Sequence, residues 1–169
     1  LLDQVIKWES WDQVVSQELC LIIKWLNATD LWNKSLDILS RREHSVSELK
    51  NKLLRFNPDS DDLKDVIERL ITSNFLDDKR FASAFIRSKA ESGYGPNYIS
   101  QYLTKKGIPS DKYNMYSLDI DWEDRCLTQF NKKRRNKEIN FKEKEKILRF
   151  LAYRGFSYEI IKNALKEFD

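Results

Sequence analysis

Three stretches of the chain repeat one pattern about fifty residues apart: Leu49, Leu53 and Asn57 are answered by Ile99, Leu103 and Gly107, and again by Ile147, Leu151 and Gly155. Two apolar residues four apart stack on one face of a helix. The glycine or asparagine four positions later is the residue type that enters the left-handed backbone conformation at which helices commonly stop. Beyond each stop a second apolar group returns at the same distances, as Leu63 and Leu70, Tyr113 and Ile120, and Ile161 and Phe168. Its spacing is most clearly helical in Leu63, Val66, Ile67 and Leu70, and in Ile160, Ile161, Ala164, Leu165 and Phe168. A further helical stretch precedes each pair, over 36–42, 81–91 and 122 to about 130. The expectation is an all-α chain of tandem three-helix repeats with helix-turn-helix character, at 34–78, 79–120 and 121–169, behind an N-terminal helical segment over 1–33. One helix pair cannot bury its own apolar stripe, so the repeats are expected to stack into an elongated, curved array. The competing reading is that unrelated helices share the same way of stopping.

Composition agrees with helices: of 169 residues only four are glycine and three proline, too few for a sandwich or barrel, while 34% are charged. The formal charge of +3 is unevenly spread. Residues 1–33 hold two basic against five acidic side chains, and the remainder 28 against 22. A basic repeat body suits a polyanion or an acidic protein surface.

The chemistry of catalysis is hard to find. Cys20 and Cys126 are far apart and His44 is the single histidine, so no zinc site is expected; two reduced thiols suit a cytoplasmic protein. His44 sits beside Ser45 where one helix ends and the next begins, as a helix-end histidine next to a capping serine. None of the glycines lies in a phosphate-loop arrangement. The acidic pairs Asp61-Asp62 and Asp77-Asp78 stand where helices start, where carboxylates cap N–H groups. No enzyme activity, metal or cofactor is expected, and a monomer is. The apolar run 19–26 is broken by Lys24 and too short to cross a bilayer. The chain begins with Leu1, which leaves a targeting segment upstream an open matter.

The middle unit is the most distinctive. Asp77 or Asp78 can cap the helix that carries Phe81 and Phe85, and Phe75 and Leu76 can close a hydrophobic staple over it. Gly93 and Gly95 permit a sharp reversal, Tyr94 is held at its tip, and Pro96 suits the first turn of the next helix. Gly107 then stops that helix. These residues, the run Leu39-Ser40-Arg41-Arg42-Glu43-His44-Ser45 with Glu48-Leu49, and Arg149-Phe150-Leu151-Ala152-Tyr153-Arg154-Gly155-Phe156 together resemble the RecX family over about 34–169. The resemblance implies a negative modulator of the recombinase RecA. It would bind the RecA nucleoprotein filament, limit its extension, and so inhibit ATPase, strand-exchange and co-protease activities without chemistry of its own.

The positions that match the family pattern and are expected at the surface are Arg41, Arg42, Arg80, Arg87, Lys89, Tyr94, Lys105, Lys106, Arg149 and Arg154. Arginine and tyrosine dominate many binding interfaces. Lys105, Lys106 and Arg154 serve equally well as cations at helix ends, and Arg80 has Asp77 and Glu91 as ion-pair candidates. A second candidate is the basic run Lys132, Lys133, Arg134, Arg135 and Lys137, which reads either as a solvated connector or as a weak, nonspecific phosphate contact. Residues 1–33 carry Trp8, Trp11, Trp25 and Trp32, and are expected to cap the first repeat or to form a partner patch. The alternative function is a repressor-like helix-turn-helix DNA-binding protein. The carboxylates of Asp59, Asp61, Asp62 and Asp65, and of Asp111 and Asp119, crowd its first two candidate recognition helices and repel phosphate.

Overall fold

In the computed structural model, backbone is described for residues 2–134 and 141–166, and side chains from Ser16 onward except Ile23 and Trp25. Eight α-helices and no strand occur among the described residues: α1 (Leu2–Arg41), α2 (Val46–Leu53), α3 (Ser60–Thr72), α4 (Asp78–Glu91), α5 (Pro96–Lys105), α6 (Trp122–Arg134), α7 (Phe141–Tyr153) and α8 (Tyr158–Ala164). The expected stops are where the backbone turns left-handed, with φ of 47° at Asn57, 78° at Gly107 and 92° at Gly155. Phe168 and the basic residues Arg135 and Lys137 lie outside the described residues.

The chain divides into two compact units, Leu1–Leu76 and Asp77–Asp169. In the first, α1, α2 and α3 enclose Leu31, Leu49, Leu53, Leu63, Val66, Ile67, Leu70 and Leu76. Leu49, Leu53 and Leu70 are fully buried, each contributing about 1.5–3 kcal/mol by leaving water. Ser45 caps α2 by accepting from the Glu48 N–H at 3.1 Å, and Asp59 caps α3 by accepting from that of Asp61 at 2.9 Å. The first helix is longer than the repeat needs, running unbroken across the expected boundary at residue 33. Its stretch from Ser16 to Asn27 leaves every described side chain exposed, including Leu19, Leu21, Ile22 and Leu26. Within the segment expected as a cap, Leu31 and Trp32 join the core of the first unit, as does Leu36 beyond it.

The second unit gathers α4 to α8 around Phe81, Ile86, Ile99, Leu103, Trp122, Cys126, Phe130, Ile147 and Leu151, among others. The sequence pattern placed a helix after Gly107, but only a single 3₁₀ turn, Ser110–Lys112, forms there. Pro109 precedes it, and Asp119 takes a positive φ of 52°. Tyr113, Met115, Leu118 and Ile120 still reach the core, one at a time rather than along a helical stripe. The staple is also not made as expected. Asp77 does cap α4, accepting from the N–H groups of Lys79 and Arg80, but Leu76 belongs to the core of the first unit and Phe75 stands edge-on to Trp32 at 6.2 Å.

Candidate interaction surface

The second unit is held together by two helix ends that satisfy each other. The N–H of Gly95 donates to the Arg154 carbonyl at 2.8 Å, and that of Asn97 to the Gly155 carbonyl at 3.0 Å. Free donors at the start of α5 thus meet free acceptors past the end of α7, and the dipoles of both helices favour the contact. The approach is so close that a Cβ on Gly95 would sit 2.5 Å from the Gly155 backbone, and one on Gly155 2.3 Å from the Tyr98 nitrogen. Gly95 is used for proximity, while Gly93, with φ of 81°, makes the turn.

That interlock places Arg154 against Tyr94. The guanidinium lies 4.6 Å from the Tyr94 ring centre and 5.2 Å from that of Phe150, and donates to the Ser92 carbonyl at 3.2 Å. From Tyr94 a row of stacked rings runs inward. Tyr94 and Tyr98 are 4.2 Å apart, Tyr98 and Tyr102 6.3 Å, Tyr102 and Phe85 5.0 Å, and Phe85 and Phe81 5.8 Å. Phe81 is buried; the other four rings are half-buried. Two lysines ride along the row, Lys89 at 5.5 Å from Phe85 and 5.7 Å from Tyr94 and Lys106 at 5.6 Å from Tyr102, while Lys133 lies 5.0 Å from Phe150, on the other side of Arg154's ring contacts. Each such cation–ring contact is worth about 0.5–1 kcal/mol at an exposed site.

Four of the sequence-predicted contact residues therefore meet on one surface: Lys89, Tyr94, Lys106 and Arg154. Arg87 and Lys105 are exposed on α4 and α5 of the same unit. Arg149 is exposed on α7 and pairs with Glu145 at 3.6 Å. Arg80 is half-buried in the first turn of α4. Two candidates belong to the first unit. Arg41 pairs with Asp37 at 3.0 Å, and Arg42 grips Glu48 with both nitrogens, at 2.6 and 3.2 Å, closing the corner between α1 and α2. Lys132, Lys133 and Arg134 form the last turn of α6 rather than a connector.

Sequence reasoning missed Phe85, Tyr98, Tyr102 and Phe150 as surface residues. The signal was present in part, since Tyr94, Tyr98 and Tyr102 recur every four residues.

His44 is buried and plays a structural part. Its Nδ1 lies 2.8 Å from the Arg42 carbonyl, which can only accept, so Nδ1 carries the proton. Nε2 then accepts from the Lys52 ammonium at 2.8 Å. Burial, the nearby Arg42 and Lys52 charges all hold its pKa below the ordinary 6.5, against the opposing hydrogen bond to Arg42 and the Glu48 carboxylate. Buried Cys126 sits in the core with its thiol pushed up to about 12 by desolvation. Among the described residues no group of three acidic, histidine or cysteine side chains could hold a metal. No helix among them is long and apolar enough to cross a membrane.

Fold and surface together define a class: a helical protein of tandem three-helix domains, with a cation-lined aromatic face on its second unit. Family models for the first, second and third three-helix domains of RecX match residues 32–70, 77–112 and 119–165, in that order. Regulatory protein RecX of Salmonella newport (strain SL254) is 34% identical over 151 residues, covering 82% of this chain and 91% of its own length. That of Salmonella typhimurium (strain LT2) matches to the same extent, 34% over 151 residues. The crystal structure of RecX from Lactobacillus salivarius superposes with a TM-score of 0.73 at 25% identity, covering 83% of this chain and 96% of that one. The chain belongs to the RecX family. Its relatives carry the name of a regulatory protein rather than of an enzyme.

Proposed function

We propose that this chain is a cytoplasmic negative modulator of RecA, acting by binding the RecA nucleoprotein filament, limiting its extension and so inhibiting ATPase, strand-exchange and co-protease activities. The observation that carries this reading is the ordered match of all three RecX domains across 32–165. The proposed contacts in the second unit are the exposed cations Arg87, Lys105 and Arg149, the half-buried Arg80, Lys89, Lys106 and Arg154, and Tyr94; in the first unit the proposed contact is Arg41. Arg42 contributes through the corner it holds with Glu48. Lys132, Lys133 and Arg134 supply weak phosphate contacts, whose affinity falls steeply with salt.

The test is a titration of this chain, expected to act as a monomer, into RecA turning over ATP on single-stranded DNA. Inhibition is expected at fewer than one chain per recombinase, because a blocked filament end stops further growth. Arg80→Ala combined with Arg87→Ala should raise the amount needed about fivefold or more, in keeping with arginine contacts at interfaces, with helical content unchanged by circular dichroism. A folded chain that leaves ATP turnover untouched at excess overturns the proposal.

A further inference from the structure

We infer that the exposed face of α1 carrying Leu19, Ile22 and Leu26 is a self-association surface, covered by the same face of a second copy of this chain. All three side chains are 53% exposed. Successive residues turn about 100° around a helix, so the three line one side of it and Gln17, Cys20 and Lys24 take the far side. Leu31 and Ser35, buried in the first unit, also stand on that far side. The first unit therefore leaves the stripe open. Beyond Leu26 the same line continues through Thr29, Asn33 and Asp37, all polar, so the stripe ends where the unit begins. In the sequence, Trp8, Trp11 and Val15 keep the spacing upstream. From 8 to 26 five steps cover eighteen residues, the repeat of a straight helix, and such a stripe runs parallel to the axis.

The occupant follows from place, charge and area. The match to RecX begins at residue 32, so the stripe stands outside the part this chain shares with the family. A lipid surface fits poorly. Helices that lie on membranes carry lysine and arginine on their polar side, whereas residues 1–33 hold two basic against five acidic side chains. None of the six stripe positions is charged, so two copies meet there without like charges face to face. A buried tryptophan removes about 150–250 Å² and a buried aliphatic side chain about 60–120 Å². Six positions on each of two copies would then bury about 1,100–2,000 Å², against about 1,200–2,000 Å² in stable interfaces. Helices draw most of their stability from packing, and a two-fold pair supplies it to both copies at once.

Sedimentation velocity of the full chain from about 0.1 to 100 μM tests this, with a reductant present because Cys20 is exposed. The expected dissociation constant is about 1 μM, the weak end for interfaces of this area. The chain is then a monomer at the submicromolar amounts that act on a filament, and has twice its 20.2 kDa mass at the upper end. Ile22→Glu with Leu26→Glu should weaken association more than about a hundredfold, since each copy loses two large apolar side chains. Lys24→Glu changes the net charge by the same amount on the far side, and should leave the dimer intact. Should the double variant lose its cooperative melt by circular dichroism, wild type and Lys24→Glu decide. A wild-type chain still monomeric at about 100 μM overturns the proposal, as does a dimer that survives the double variant or is lost equally in Lys24→Glu. Binding of a monomeric chain to phosphatidylcholine vesicles also overturns it, and assigns the stripe to lipid.

Discussion

His44 shows how a residue type often associated with catalysis serves structure. Both ring nitrogens are committed, one donating to the Arg42 carbonyl and one accepting from Lys52. Protonation would place a second cation 2.8 Å from the Lys52 ammonium inside a buried corner. Because the folded state holds the imidazole neutral below its ordinary pKa of 6.5, the unfolded chain binds the proton first as pH falls. The stabilisation is complete above about pH 6.5 and is lost as pH drops towards the lower folded value. The urea midpoint should therefore fall between pH 7.5 and pH 5.5. His44→Asn should start lower, by about 1–3 kcal/mol for the broken buried contacts, but lose much of this pH dependence. A wild-type midpoint that does not change across that interval would show that His44 titrates normally.

At the scale of elements, the stops are readable because their chemistry is local: a left-handed residue at a helix end favours glycine, then asparagine, whatever lies around it. Gly107 and Gly155 look alike in sequence and differ in three dimensions. Gly107 answers only to its φ of 78°, whereas Gly155 also presses against the Tyr98 backbone. Gly107→Ala should cost about 1 kcal/mol in urea unfolding, from backbone strain alone. Gly155→Ala adds a steric clash that the α5–α7 interlock cannot absorb, and should cost more than about 3 kcal/mol. Equal losses would mean that the interlock yields. The same distinction explains what was not legible. Gly95 reads as a hinge until the distant Gly155 backbone is seen against it. The four-residue spacing puts Tyr98 and Tyr102 on one face of α5, but the continuation of the row through Phe85 depends on how α4 and α5 pack. The apolar residues after Gly107 read as a helix stripe because Tyr113 and Ile120 keep the repeat's spacing. Asp119 at positive φ and Pro109 in front leave them as separate core plugs.

For the whole molecule, the division at residue 76/77 separates charge as well as cores. The first unit carries ten basic against thirteen acidic side chains and the second twenty against fourteen. The chain's net +3 thus conceals a unit at −3 and a unit at +6, and the aromatic row with its lysines belongs to the basic one. Each unit encloses its own apolar cluster, which is the condition for folding alone. A fragment of residues 77–169 is therefore expected to be helical and to unfold cooperatively. A polyanion is attracted by the basic unit and repelled by the acidic unit tied to it. Freed of the acidic unit, the fragment should elute from immobilised heparin at higher salt than the intact chain, while residues 1–76 pass unretained. Elution of the intact chain and the 77–169 fragment at the same salt would mean that the acidic unit exerts no influence on the basic face. Retention of 1–76 would place polyanion binding on the wrong unit and remove the electrostatic basis for the second.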